Sequence, residues 1–410
     1  MEGAASMEGA VAPPLSVTPL TAPATPGRPV LRWASRARTV DGVAAELGKI
    51  WSSISLTTPG EHGDPERRVA ARSSVMNLVV VAGRGEIGER TAAIVEGLTG
   101  RHPSRTLIVS TADPDGPAWL DAQVQAHCML PSPTAPETCS ELVYLTAGGE
   151  SGQHLAAIVA PLLIHDLPVT VWWPGEPHFE SRAVSELLTM ADRILVDGSG
   201  WSGDGLAGLH AMADLPKRFD VEIADFALLR QARWREAIAS TFDRPNLLPF
   251  LYYLDRIDVR YAASDGTPGM ANVVRPMYHV AWLASRLGMS VVSPVRAGAE
   301  AWSGYDVVLQ LGRRKVPVTL CPVESTAPRG TTLAVGLHAV RNRSELAVDV
   351  TAYADGVVVR ATLDGQAIPE RLFLAPRRRE AELLAETIDA AGRDAISKDV
   401  LAMAAVLVEK

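Results

Sequence analysis

The run Gly83-Arg84-Gly85-Glu86-Ile87-Gly88 has the glycine spacing of a dinucleotide-binding turn. It follows an apolar stretch and opens an amphipathic one, so backbone N–H groups could cradle a pyrophosphate at a helix N-terminus. Glu86 opposes that chemistry, because it sets a carboxylate beside the phosphates. Glu89 already complements the helix dipole. The ribose-binding acid should end the next strand near Ser110 or Thr111, yet the first acid is Asp113. A tight strand-to-helix turn is the simpler reading. Metal ligation lacks its spacing. Cys128 and Cys139 stand eleven positions apart beside His127, and no CxxC or HExxH occurs. These cysteines are expected to be thiols, although a disulfide between them is geometrically conceivable. No GxSxG, SxxK or P-loop is present. His154, His165, His178 and His279 are scattered and are expected to be structural. Arg377-Arg378-Arg379 opens a helix, where the dipole disfavours cations; the run reads as a solvated helix start, with an acidic partner surface as the alternative. No catalytic, cofactor-binding or metal-ligating residue follows from these spacings.

Two segments could instead meet a partner. In Asp166-Leu167-Pro168-Val169-Thr170-Val171-Trp172-Trp173-Pro174-Gly175, two tryptophans end a strand before a rigid Pro-Gly turn. Adjacent strand side chains point to opposite faces. One of Trp172 and Trp173 is therefore expected in the core and the other on a second face, where tryptophan is favoured at interface hot spots. Arg101-His102-Pro103-Ser104-Arg105 joins a helix to a strand. Its residues Arg101, His102 and Arg105 are the second set of interface candidates, against the plainer reading of a proline-stiffened loop.

The elements that would position these residues alternate. TVDGVAAELGKIW (40–52) reads as a helix capped by Asp41, and 53–70 as a loop. NLVVVAG, GERTAAIVEGLTG and RTLIVSTAD form strand, helix with Gly100 at its C-cap, and strand. DAQVQAHCML and ELVYLTA follow as an antiparallel insertion. GQHLAAIVAPLLIHD reads as one helix, LPVTVWWPG as a strand, SRAVSELLTMA as a helix and DRILVDG as a strand. That alternation predicts an α/β domain with a mostly parallel sheet. Beyond about residue 216 the pattern changes. ADFALLRQARWREAIASTF reads as one long helix, RIDVRYAA as a strand and VVRPMYHVAWLASRLG as a helix. Five strands then run from YDVVLQLG to VVVRATL, and two helices close the chain. This predicts an α+β domain with a mostly antiparallel sheet. The expected division is a disordered Ala/Pro/Thr-rich tail over 1–35, an α/β domain over 36–215 and an α+β domain over 216–410, with the boundary in the Gly-rich stretch between Asp197 and Asp220.

The chain has 410 residues, 39 Lys+Arg against 47 Asp+Glu, and a net charge of −8, which argues against a dedicated nucleic-acid or anionic-membrane binder. Three cysteines do not make a disulfide scaffold and suggest a reducing compartment. The N-terminal residues lack the charged and apolar regions of a signal peptide. The most membrane-like window, 154–173, is interrupted by Pro161, His165, Asp166 and Pro168. A cytoplasmic location is expected.

The blocks GRHPSRTLIVSTADPD, HLAAIVAPLLIHDLPVTVWWPGEP and ADRILVDGSGW resemble the glucose-6-phosphate dehydrogenase assembly protein family, OpcA, in order and spacing. The resemblance is densest from Asn77 to about Trp201 and continues through WREAIASTFDRPN and the C-terminal strands. It implies a non-enzymatic partner of glucose-6-phosphate dehydrogenase, without a cofactor, that promotes the enzyme's active oligomer in the oxidative pentose phosphate pathway. It assigns no role to Cys128, Cys139 or Cys321. The alternative, from another class, is a nucleotide-binding enzyme that uses Gly83, Gly85 and Gly88.

Overall fold

A computed structural model describes residues 27–53, 55–59, 65–69, 74–83, 85–98, 101–129, 138–263, 271–298, 304–390, 392 and 394–409. The chain groups into two compact units, Met1–Pro168 and Val169–Lys410.

The first unit runs β1 (Val30–Ala37), α1 (Val40–Ser53), β2 (Ser55–Pro59), β3 (Pro65–Val69), β4 (Met76–Val81), α2 (Gly85–Glu96), β5 (Ser104–Ala112), β6 (Trp119–Met129), β7 (Thr138–Gly148), α3 (Glu150–Gln153) and α4 (Leu155–Val159). Its strands lie side by side as β1-β6-β7-β5-β4. β4, β5 and β7 are parallel, while β6 is antiparallel to both β7 and β1. α2 joins the parallel neighbours β4 and β5, as a crossover must. β4 is buried along its whole length, which is the mark of a strand covered on both faces. Its one polar residue, Asn77, is fully buried. The Asn77 Oδ1 accepts from Ile164 N at 2.8 Å, and its Nδ2 donates to Ile164 O and Leu167 O at 3.0 and 3.2 Å. A side-chain amide thus satisfies the backbone of a turn that has no ladder partner.

Four expectations need correction here. Residues 30–35, assigned to the tail, lie in β1, because their apolar positions pair with β6; residues 1–26 lie outside the described residues. Residues 53–70 contain the β2–β3 hairpin rather than a loop alone. Thr39, not Asp41, caps α1: its Oγ1 accepts from Gly42 N at 3.1 Å. The helix expected over 152–166 is broken into α3, α4 and a 3₁₀ turn over Ala160–Leu162, where Pro161 removes an N–H. The Gly100 cap lies outside the described residues.

The second unit runs β8 (Val169–Trp173), α5 (Arg182–Leu188), β9 (Arg193–Val196), α6 (Leu206–Ala213), α7 (Leu215–Arg218), β10 (Glu222–Asp225), α8 (Phe226–Leu229), α9 (Ala232–Thr241), β11 (Leu254–Ala263) and α10 (Val274–Leu287). It continues with β12 (Ser290–Ala297), β13 (Tyr305–Leu311), β14 (Arg314–Glu324), β15 (Thr332–Arg341), β16 (Ser344–Tyr353), β17 (Gly356–Leu363), β18 (Gln366–Leu374), α11 (Glu380–Asp389) and α12 (Ala395–Val408). β8, β9 and β10 are parallel neighbours. Strand pairing up to Asp225 is therefore mostly parallel, with intervening helices, as an α/β region requires. The strands after α9 form an eight-stranded sheet in the order β12-β13-β14-β11-β15-β16-β17-β18. All its neighbours are antiparallel except β11 and β14. That is the α+β arrangement. α10 packs on β11, β14 and β15, burying Met277, Tyr278, Val280, Ala281, Leu283 and Ala284. It stops at Gly288, whose φ of 61° is the left-handed cap that favours glycine.

The Gly-rich stretch expected to hold a boundary folds as α6 and α7. The long helix expected from Ala224 is two: Asp225 caps the short α8, and α9 restarts at Ala232. No helix among the described residues is long and apolar enough to cross a membrane, which says nothing of strands.

Candidate functional site

The interface candidates do not gather into one exposed surface. Trp172 is fully buried and Trp173 is 9% exposed, so neither ring is a surface anchor. All five residues of β8 are buried; alternation cannot expose a ring when both faces are covered. Trp172 packs against Phe226 with ring centroids 6.1 Å apart. Arg105 is also internal. Its guanidinium is spent on Glu141, with Nε–Oε2 at 2.5 Å, and on Leu162 O at 2.7 Å. Glu141 is fully buried and also accepts from Trp51 Nε1. This trio ties β5 and β7 to α1, and breaking a buried pair leaves an uncompensated charge. Only Arg101 is exposed and His102 half-buried, both anchored by their backbone N–H groups to Leu98 O.

The glycine run sits where expected, between β4 and α2; the side chains of 84–89 lie outside the described residues. Cys128 and Cys139 are directly opposite on β6 and β7 and form a disulfide. That corrects the expectation of two thiols. Cys321 is a half-buried free thiol.

The densest polar cluster lies at the carboxyl ends of β9 and β10, where ligands sit in parallel α/β sheets. Past the end of β9, Asp197 accepts from Ser199 Oγ at 2.5 Å and from Arg230 Nη1 at 2.7 Å. At the end of β10, Asp225 Oδ1 accepts from Gly198 N at 3.0 Å and Ala227 N at 2.7 Å. Its Oδ2 accepts from Tyr278 OH at 2.6 Å. Burial, reinforced by Asp197, pushes the Asp225 carboxyl up to about 6, against the pull of those bonds. Burial likewise drives the Tyr278 phenol well up. Gly198 is required by close approach, since a Cβ there would lie 2.6 Å from Asp225 Oδ2. Asn272 Nδ2 bridges Gly198 O and Trp201 O at 2.8 and 3.1 Å, while its Oδ1 accepts from Val274 N at the start of α10. Next along α10, Arg275 donates Nη2 to Ser199 Oγ at 3.1 Å and Nη1 to Thr331 Oγ1 at 3.4 Å. The arrangement can hold negative charge; it presents no nucleophile paired with a base among the described residues.

None of these residues stands out in the sequence except Arg377, which repels Arg275 across the cluster. An Asp directly between a short apolar run and a helix is an N-cap signal, and it could have marked Asp225.

Comparison with known proteins fits this fold. Two family profiles, described as the N-terminal and C-terminal domains of a glucose-6-phosphate dehydrogenase subunit, match residues 95–214 and 221–401 respectively. Fold and matches together define a two-part protein of the kind that accompanies this dehydrogenase. The chain belongs to the OpcA family, the glucose-6-phosphate dehydrogenase assembly proteins. It is similar to an OxPP cycle protein OpcA of Synechocystis sp., at 27% identity over 208 residues, 49% of this chain. That stretch spans only 41% of the length of the relative. Among solved structures, it is similar to an NAD binding oxidoreductase from Klebsiella pneumoniae, with 10% identity, a TM-score of 0.45, and coverage of 82% of this chain and 95% of that one. A super-repressor mutant of Gal80p from Saccharomyces cerevisiae gives 9% identity, a TM-score of 0.44, and coverage of 82% and 94%. Nothing about the chemistry of this chain follows from likenesses of that size.

Proposed function

We propose that the chain is a non-catalytic partner of glucose-6-phosphate dehydrogenase that binds the enzyme and favours its active oligomer. The observation that carries the reading is the pair of family matches over 95–214 and 221–401. A factor that binds only one state of the enzyme shifts the population by its differential affinity and needs no chemistry of its own. The perturbed groups Asp225 and Tyr278 are spent on each other, which suits a scaffold better than a proton-transfer site. Of the five candidate interface residues, Arg101 and His102 remain at the surface, and contact with the enzyme is proposed there. A groove of about 660 Å³ beside β10, lined by Leu209, Met212, Phe219, Ile223, Leu401 and Lys398, is a second candidate contact. The test mixes the purified chain with the dehydrogenase of the same organism. Co-elution and a changed substrate-saturation curve are expected; no complex at micromolar concentration and no kinetic effect would overturn the reading.

A further inference from the structure

Arginines drawn into the interior of this chain are matched with carboxylates. Arg105, 6% exposed, holds Glu141, and Arg193, 5% exposed, holds Glu222. The half-buried Arg230 holds Asp197, and Arg378 holds Glu386. Arg275 departs from this pattern. Its guanidinium meets only the hydroxyls of Ser199 and Thr331, and its buried Nε has no acceptor among the described residues. Arg230 and Arg377 both press on it as like charges. The acids in range do not relieve it: Asp197 is engaged by Arg230 and Ser199, and Asp225 by Tyr278, Gly198 and Ala227. Arg377 is exposed and likewise has no carboxylate partner among the described residues. Two positive charges are thus left over, close to two hydroxyls, at the carboxyl end of β9.

We propose that this cluster is an oxyanion site that takes a phosphate group, either inorganic phosphate or a phosphomonoester. Arg275 and Arg377 supply the charge, and Ser199 and Thr331 supply neutral donors. A phosphate dianion matches the two unbalanced cations. Its oxygens accept from a guanidinium fork and from hydroxyls in the geometry that makes arginine the preferred phosphate ligand. The position outside the carboxyl ends of parallel strands is where such ligands are bound. Occupancy would tie α10 to the β9 turn and to Thr331.

The test uses the full chain alone, so it is independent of any dehydrogenase complex. Inorganic phosphate and glycerol 3-phosphate are titrated calorimetrically, with sodium chloride at matched ionic strength as the control. Saturable binding of either phosphate compound, absent in chloride, is expected. Tighter binding of glycerol 3-phosphate identifies a phosphomonoester as the source, and equal or weaker binding identifies free phosphate. Arg377→Gln is exposed and should keep the wild-type melting temperature while losing about tenfold in affinity, the loss of one charge-assisted contact. Arg275→Lys keeps the charge and loses the fork, and should also weaken binding. No saturable binding at millimolar concentration, an equal response to chloride, or unchanged affinity in Arg377→Gln would overturn the assignment.

Discussion

His279 is fully buried on α10, with its ring 5.4 Å from that of Trp234. Neither ring nitrogen has a hydrogen-bond partner among the described residues. Burial, followed by the charge of Arg235, pushes its pKa down to about 3. In the unfolded chain the ring takes up a proton near 6.5. Between those values the unfolded state binds a proton that the folded state refuses, so stability falls as pH drops through the window. The full effect is ~5 kcal/mol at about 1.4 kcal/mol per unit. Asp225 acts in the opposite sense. Its folded value of about 6 lies above the 3.8 of the free carboxyl, so its protonation adds stability as pH falls through that range. Denaturant melts from pH 7 to 4 should therefore show a flatter decline in His279→Phe than in the wild type. An equally steep decline would show that this ring carries no acid sensitivity. The tryptophans make a second prediction at this scale. Because both rings are buried, Trp172→Ala and Trp173→Ala should each cost ~3–5 kcal/mol. A Trp173→Ala variant as stable as the wild type would contradict the burial.

Among the elements, β6 and β7 are joined by the Cys128–Cys139 bond across residues directly opposite in the register. A crosslink that closes so short a loop is worth ~2–3 kcal/mol through the unfolded chain. Cys128→Ser with Cys139→Ser should lower stability by that amount, and reduction of the wild type should match it; an unchanged melt in reductant would count against a stabilising bond. The strands and the long helices are legible in the sequence because apolar runs such as Leu78–Val81 and the helical spacing of α10 report burial directly. The breaks are less so. Ala224 to Phe242 has enough helical periodicity to look continuous, yet the Asp225 carboxylate prefers the N–H groups of Gly198 and Ala227 to a place inside a helix. Trp172 and Trp173 mislead for a related reason. Alternation along a strand gives two faces but does not say whether the second face is covered. The polar cluster is illegible because Asp197, Asp225, Asn272, Arg275 and Thr331 meet only through tertiary folding; spacing along the chain carries no trace of it.

On the scale of the whole molecule, two sheets of different habit occupy one chain, and the two family matches divide between 214 and 221. The second sheet is built around β11, which pairs in parallel with β14 and antiparallel with β15. Its two neighbours follow it in the sequence by about 55 and 75 residues. As the chain leaves the ribosome, β11 must therefore wait with both edges unpaired until Thr332–Arg341 has been made. Contacts that close such long loops are slow to form, and an unpaired apolar strand is a template for pairing with other chains. By contrast, β5, β6 and β7 have all their neighbours within Met1–Pro168 and face no comparable delay. The same sequence thus carries an early-maturing half and a late one, and the vulnerable interval in its synthesis lies between β11 and β15.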